Sequence, residues 1–370
     1  MIHLFLVLLL SAAVFACSGP ESSGSETATS AAGAGSTASV DAGTESASPT
    51  VATGAMPSGA SPATTDATAT VTTTMGETST ATSEAVPTAT VPAMATVAPN
   101  PTREVDLTGA LLPNNRILSY YGHPNSSAMG ILGEFSKEEV HRLLAEQAVE
   151  YEAADSAHPV VLAFELIATV AQPHPGEDGT YVAYTGDEII QEYVDYVTAN
   201  DMILILDLQI GHDTIPNQIN LIRKWLELPN VHVALDPEFS MKANETVPRD
   251  RIPGEFIGEA NGLHIQEGME LLAQIVAEAG IPPKMLIVHQ FEEEMIFNKD
   301  QITPVAGVQF VLDMDGFGGT EAKVGNYGHF VRDQLIEFGG IKLFYRQDDP
   351  LLTPAEIVAL DPPALVVIYQ

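Results

Sequence analysis

Residues 231–239 read VHVALDPEF: a β-branched, almost wholly apolar run that ends in two carboxylates around a proline. Side chains two apart on a strand point to the same side, so Asp236 and Glu238 share one face of a strand whose other positions suit burial. The pattern recurs. Seven further runs have the same build: ILSYYG (117–122), VVLAFELIATV (160–170), MILILDLQIG (202–211), KMLIVHQF (284–291), VQFVLDMDGF (308–317), IKLFYR (341–346) and ALVVIYQ (364–370). Near-continuous apolar strands separated by amphipathic segments indicate parallel strands covered on both faces.

The intervening segments carry helix signals. Ser136 begins a capping-box pattern ahead of Val140, Leu143 and Leu144. Thr185 precedes Ile189, Ile190, Tyr193, Val194 and Val197 on one helical face, and Pro216 suits a first helical turn. Asn261 caps a helix that stops at Gly280, a short helix is expected near 292–302, and others near 320–338 and after Thr353. Eight strands and seven helices over about 255 residues match an α/β fold of the (β/α)₈ TIM-barrel type. The rival, a doubly wound open sheet, would place a Gly-rich phosphate loop after the first strand, and none is there. The barrel is expected to end on strand eight without a final helix, with residues 105–113 covering the groove outside strands eight and one.

Before the barrel the chain changes character. Residues 1–17, MIHLFLVLLLSAAVFAC, form an apolar run of signal-peptide length, too short for a membrane-spanning helix. Its end, Val14-Phe15-Ala16-Cys17, resembles the lipobox of bacterial lipoproteins, which implies lipidation at Cys17, export, and anchoring to the outer face of the cell membrane. Cys17 is the only cysteine, so an internal disulfide and a thiolate metal cluster are both excluded. Residues 18–103 are rich in Ser, Thr, Ala, Pro and Gly and read as a disordered tether, with a coil span on the order of 50 Å. The folded domain is then 104–370. Residues 1–103 hold seven of the 49 acids and one of the 15 bases, so the domain carries 42 acids against 14 bases, a net charge near −28. Such a field repels phosphate backbones and excludes nucleic acid as a partner.

In a barrel of this type the polar groups at the C-terminal strand ends gather at one mouth. The candidates are Glu165, Asp207 and Gln209, Asp236 and Glu238, His289, Asp313 and Asp315, and Lys342 or Tyr345, with Tyr121 and His123 after the first strand. Singly, each is readily a cap, an ion-pair partner or a satisfied core residue. Together they are harder to dismiss, because buried carboxylates are costly and this chain has few bases to neutralise them. A mouth with that many acids suits a polyhydroxylated ligand, a cation, or both. GFGG at 316–319 is a weak candidate for approach to a phosphate.

Asp236-Pro237-Glu238 resembles the terminal D-x-E of chitinase-type barrel glycosidases. Carried only to those two positions, the resemblance makes Glu238 the catalytic acid and Asp236 its orienting or stabilising partner, with the remaining candidates binding substrate. Val231 and Ala234 stand where that family has further aspartates. More broadly, the stretch from YYGHPNSSAMGILGEF (120–135) through LDPEF, VHQF, LDMDGFG and KLFY is similar to uncharacterised bacterial exported lipoproteins. The expectation is a lipid-anchored hydrolase acting on carbohydrate, with no cofactor required. Two alternatives stay open: a noncatalytic sugar- or cation-binding lipoprotein, and a hydrolase dependent on a divalent cation held by residues such as Glu165, Asp207, His289 and Asp313.

Overall fold

A computed structural model describes residues 109–241 and 251–370. Expectations about the signal peptide, Cys17 and the tether fall outside them. Strands β1 (Arg116–Gly122), β2 (Val160–Ala171), β4 (Ile203–Gly211), β5 (Val231–Ser240), β7 (Lys284–Gln290), β9 (Val308–Met314), β10 (Phe338–Leu343) and β11 (Ala364–Tyr369) pair side by side, all parallel. β1 pairs with both β11 and β2, which closes the sheet into an eight-stranded barrel. A short β3 (Val182–Tyr184) lies antiparallel on the end of β2, and β6 (Ala260–Asn261) and β8 (Ile296–Phe297) form a separate small pair.

Helices α1 (Lys137–Ala154), α2 (Asp187–Ala199), α3 (Ile215–Leu221), α4 (Arg223–Leu226), α5 (Gly262–Ala279), α6 (Thr320–Tyr327) and α7 (Pro354–Val358) fill most crossovers. Most starts follow the sequence signals. Ser136, Asn261 and Thr353 each accept a backbone N–H of the first turn, Pro216 falls in the first turn of α3 behind a Thr214 cap, and Gly280 closes α5 in the left-handed conformation, whereas α2 starts after Gly186 without a side-chain cap from Thr185. The crossover from β7 to β9 departs from expectation, with two single 3₁₀ turns, Glu293–Met295 and Lys299–Gln301, in place of a helix. Among the described residues, no helix is long and apolar enough to cross a membrane.

The two strand faces serve different cores. Outward side chains such as Leu118, Phe164, Leu206, Val233, Leu286 and Phe310 pack with the helices in one continuous cluster. Inward residues, among them Ile117, Ala163, Ile205, Ala234, Ile287, Val311 and Val366, form a second cluster inside the barrel. Burying a side chain of this size contributes about 1.5–3 kcal/mol, which is the source of the barrel's rigidity.

The segment expected to cover the groove outside strands eight and one does something else. Its described part, residues 109–113, turns in under the barrel. The Leu111 and Leu112 amides donate to the Gln309 side chain at 3.1 and 3.3 Å, Gln309 donates back to Leu112 O at 2.6 Å, and Leu112 joins the interior cluster. An inward Gln at the start of β9 thus has a purely structural use, as the socket for a stopper. The groove is covered by α1, where the hydroxyls of Tyr151 and Tyr369 meet at 2.7 Å.

β10 begins three residues before the apolar run, at Phe338, because Gly339 and Gly340 continue the strand. Gly340 lies opposite Asp313 in the pairing, and a Cβ there would sit 2.8 Å from Asp313 Oδ1. Its absence makes room for a buried carboxylate. Gly340→Ala should therefore overpack the interior and cost about 1–3 kcal/mol. Gly325→Ala, on an exposed turn of α6 with nothing within 4 Å of the new methyl, should stabilise by about 0.5–1 kcal/mol. Denaturant midpoints of the two variants check the contrast.

Candidate active site

Inward positions of successive strands stack in levels, and above the apolar levels the interior turns polar. His289 on β7 is wholly buried. Its Nδ1 lies 2.9 Å from Asp313 Oδ2 on β9, and its Nε2 lies 3.1 Å from Glu165 Oε1 on β2. A ring that faces a carboxylate oxygen on each nitrogen donates from both, so it is an imidazolium. Burial works against that charge, but the bonds to Asp313 and Glu165 outweigh it and hold the pKa well above the ordinary histidine value. Asp207 on β4 completes this level. Its Oδ2 accepts from the Tyr121 hydroxyl at 3.2 Å, and its Oδ1 stands 3.9 Å from His289 Nε2. Burial, and next the charge of Asp236, push Asp207 well above the usual carboxylate range.

One level higher lies an open cavity of about 410 Å³. Its polar lining includes Tyr121, Gln209, Asp236, Glu238, Asp315 and Lys342, with Arg251, Glu255 and Glu292 from other parts of the chain, and five phenylalanines (239, 256, 291, 317 and 344) are among its apolar lining. Gln209 accepts the Ala171 amide at 2.8 Å. Lys342 Nζ sits 3.2 Å from Asp315 Oδ2 and 3.9 Å from the centre of the Tyr121 ring, a desolvated cation against a π-face. Burial alone would lower the Lys342 pKa, but Asp315 and Asp236 more than offset it, so the ammonium stays charged.

Three of the five carboxyls that line the cavity, Asp236, Glu238 and Asp315, are driven apart in protonation. Burial would raise Asp315, but Lys342 and then His289 outweigh it and hold the group below its ordinary value, so it is ionised. Asp236 accepts the Glu238 amide at 3.2 Å, and burial pushes it up to about 6. Glu238 keeps part of its surface open to the cavity, yet burial and the nearby Asp236 and Asp315 raise it well above the usual range. Among the described residues none donates a hydrogen bond to its carboxyl. A neutral acid and an ionised one thus share one chamber.

The candidates taken from strand ends therefore divide. Tyr121, Gln209, Asp236, Glu238, Asp315 and Lys342 face the cavity, whereas Glu165, Asp207, His289 and Asp313 form the sealed level beneath it. Two candidates lie elsewhere. His123 accepts the Asn125 amide on Nδ1 at 3.2 Å and points Nε2 at Thr185 Oγ1, 3.1 Å away, and burial lowers its pKa; it is a neutral strut. Tyr345 lies outside the barrel, its hydroxyl between those of Tyr120 and the Gln147 side chain of α1. The glycine turn at 316–319 is also committed, since Asp348 accepts the Gly318 amide at 2.8 Å and Lys323 donates to Gly316 O at 2.7 Å. The aromatic lining has a signal in the sequence too: LDPEF, VHQF, DGFG and KLF each carry a phenylalanine one or two residues beyond a polar residue at the strand end.

No protein-family model matches this sequence, and no curated protein matches it. Among solved structures the barrel is distantly similar to a Bacillus subtilis mannanase, with 11% identity, 69% of this chain and 80% of that one covered, and a TM-score of 0.37. It is also similar to a ruminal endo-β-1,4-mannanase of glycoside hydrolase family 26, at 10% identity, 69% and 59% coverage, and a TM-score of 0.35. The values for another Bacillus subtilis mannanase are 10% identity, 71% and 82% coverage, and a TM-score of 0.36. Superpositions this loose equate no side chain of one protein with a side chain of another.

Raised carboxyl pKa values have a thermodynamic signature. Asp236 goes from 3.8 to about 6 on folding, so between those values the folded state binds more protons than the unfolded one. Stability must then fall as pH rises through that window. Asp236→Asn keeps an acceptor for the Glu238 amide and abolishes the titration. The stability of the variant relative to wild type should rise by about 2–3 kcal/mol between about pH 3.5 and pH 7, measured by denaturant unfolding at each pH.

Proposed function

We propose that the protein is a carbohydrate-active hydrolase working from this cavity, with Glu238 as proton donor. The observation that carries the reading is the pairing, in one open chamber, of a carboxyl kept neutral by burial with one kept ionised by a lysine. Enzymes that cleave glycosidic bonds need those two states side by side near neutral pH. Glu238 would protonate the glycosidic oxygen as the bond to the anomeric carbon breaks, so the leaving sugar departs as an alcohol. The positive charge that develops on the ring would face Asp236 and Asp315. Water then adds to the anomeric carbon and yields its proton to the Glu238 carboxylate, which restores the starting state.

The walls support a sugar rather than a small ion as the ligand. Five phenylalanines around a few convergent polar groups offer flat apolar surface to the C–H faces of pyranose rings, while Gln209, Asp236 and Lys342 reach hydroxyls. The reading extends to location: residues 18–103 would tether the barrel outside the cell from lipid on Cys17.

Two experiments test it. Incubation with a panel of cell-wall and plant oligosaccharides, followed by product analysis, should reveal a cleaved glycan, and Glu238→Gln should lower turnover on it by about 10²–10⁴-fold. Wild-type turnover should decline on the alkaline side, where Glu238 loses its proton. Unchanged turnover in Glu238→Gln sinks the assignment. For the anchor, Cys17→Ser should move the protein from the membrane fraction to the soluble fraction on cell lysis; retention in the membrane fraction would refute lipid attachment at that residue.

A further inference from the structure

The sealed level beneath the cavity holds a constellation that hydrolysis as described above does not use. One ligand atom each from Glu165, Asp207 and His289 lies within 4.8 Å of the other two, on three different strands and with zero exposure. Among the described residues, three oxygens of this level have no hydrogen-bond partner: Glu165 Oε2, Asp207 Oδ1 and Asp313 Oδ1. An orphaned buried carboxylate oxygen is expensive, about 1–3 kcal/mol or more when the group is charged. Among the described residues no side chain supplies the missing donors. His289 has one Nε2 proton, already directed to Glu165 Oε1 at 3.1 Å, which leaves Asp207 Oδ1 at 3.9 Å without a donor.

We infer that Glu165, Asp207 and His289 bind a divalent cation of the zinc or manganese kind. A cation between these atoms gives each carboxylate a partner and replaces one proton by two positive charges amid Asp313, Asp236 and Asp315. The donor set is one imidazole nitrogen and two carboxylate oxygens, which suits Zn²⁺, Mn²⁺ or Co²⁺; Ca²⁺ would require six or more oxygens. The supporting groups are those of metal centres. Asp313 accepts His289 Nδ1–H at 2.9 Å and thereby turns Nε2 inward, and Tyr121 donates to the far oxygen of Asp207 at 3.2 Å. On binding, the Nε2 proton leaves to solvent and that nitrogen's lone pair takes the metal. Tyr121, bonded to Asp207 and lining the cavity, marks the route of entry.

The test is binding, not hydrolysis, so its failure and the failure of the glycosidase reading are separate events. Purified protein is dialysed against a chelator and titrated by calorimetry with ZnCl₂ and MnCl₂, and with CoCl₂ followed by visible absorption. One equivalent should bind, with a rise in thermal midpoint that chelator reverses. Asp207→Asn should weaken the affinity at least 10-fold, and Asp313→Asn, which never touches the ion, about 10- to 100-fold. Absence of saturable binding of all three ions to the wild-type protein overturns the inference, as does full affinity in folded Asp207→Asn. Should either variant fail to fold, the wild-type titration and the cobalt spectrum decide.

Discussion

A closed barrel admits no solvent to its middle, so every charge placed there must be balanced by another side chain or suppressed by a proton. Here Glu165, Asp207, Asp236, Asp313 and Asp315 converge on two cations, His289 and Lys342. The acids outnumber the bases, and full ionisation would leave unpaired negative charge in a low dielectric, at several kcal/mol per group. Asp315, at 3.2 Å from Lys342 and 3.7 Å from His289, is held below its ordinary pKa, while at Asp207, Glu238 and Asp313 burial outweighs the nearby cations and raises the pKa. The protonation pattern of the cavity is thus a consequence of charge scarcity, and a second lysine beside Glu238 would erase it.

Packing had to yield for this arrangement. Asp313 fits because β10 has no side chain at Gly340, and the Tyr121 ring takes up the Lys342 ammonium at 3.9 Å from its centre. The apolar levels below contribute the compensating stability. Ile117, Ile205, Ile287 and Val311, with Leu112 pressed in from beneath, make an apolar floor. The polar level can be expensive because the apolar ones are deep. That division also explains why the stopper at residues 109–113 matters to a site on the other side of the barrel: with the bottom open, water would enter the interior from below.

Much of the architecture was legible in the sequence, and the shortfalls have physical causes. All eight barrel strands appear as β-branched runs, since a strand buried on both faces cannot hide its composition. β10 was read short because Gly339 and Gly340 resemble a turn when nothing reveals the Tyr327 hydroxyl and the Asp313 carboxylate that exclude a Cβ there. The side of each strand that His289 or Asp236 faces follows from alternation by two. Its height in the barrel does not, because height depends on the stagger between strands, a long-range property. Glu165, Asp207, His289 and Asp313 were therefore grouped with Asp236, Glu238 and Asp315, although a full level separates the sealed set from the open one. His123 and Tyr345 follow their strands closely enough to seem part of the mouth, but the local turn at Ser126 and the outward face of the chain after β10 carry them away.

The two levels are coupled even though only one meets the cavity. His289 is 3.7 Å from Asp315 and so helps to keep that carboxylate ionised, and Asp207 holds the hydroxyl of Tyr121, whose ring carries Lys342. Any change of charge below, whether a proton leaving His289 or a cation arriving beside it, alters the field in which Asp236 and Glu238 titrate. Added positive charge would favour ionisation of both and so lower the fraction of Glu238 that carries a donatable proton; removal of the imidazolium charge would do the reverse. The sealed level therefore acts on the open one through electrostatics at a distance of one side-chain layer, without any backbone movement. A barrel suits that kind of control, because its staves hold charges from distant parts of the chain at fixed separations that a flexible loop would not maintain.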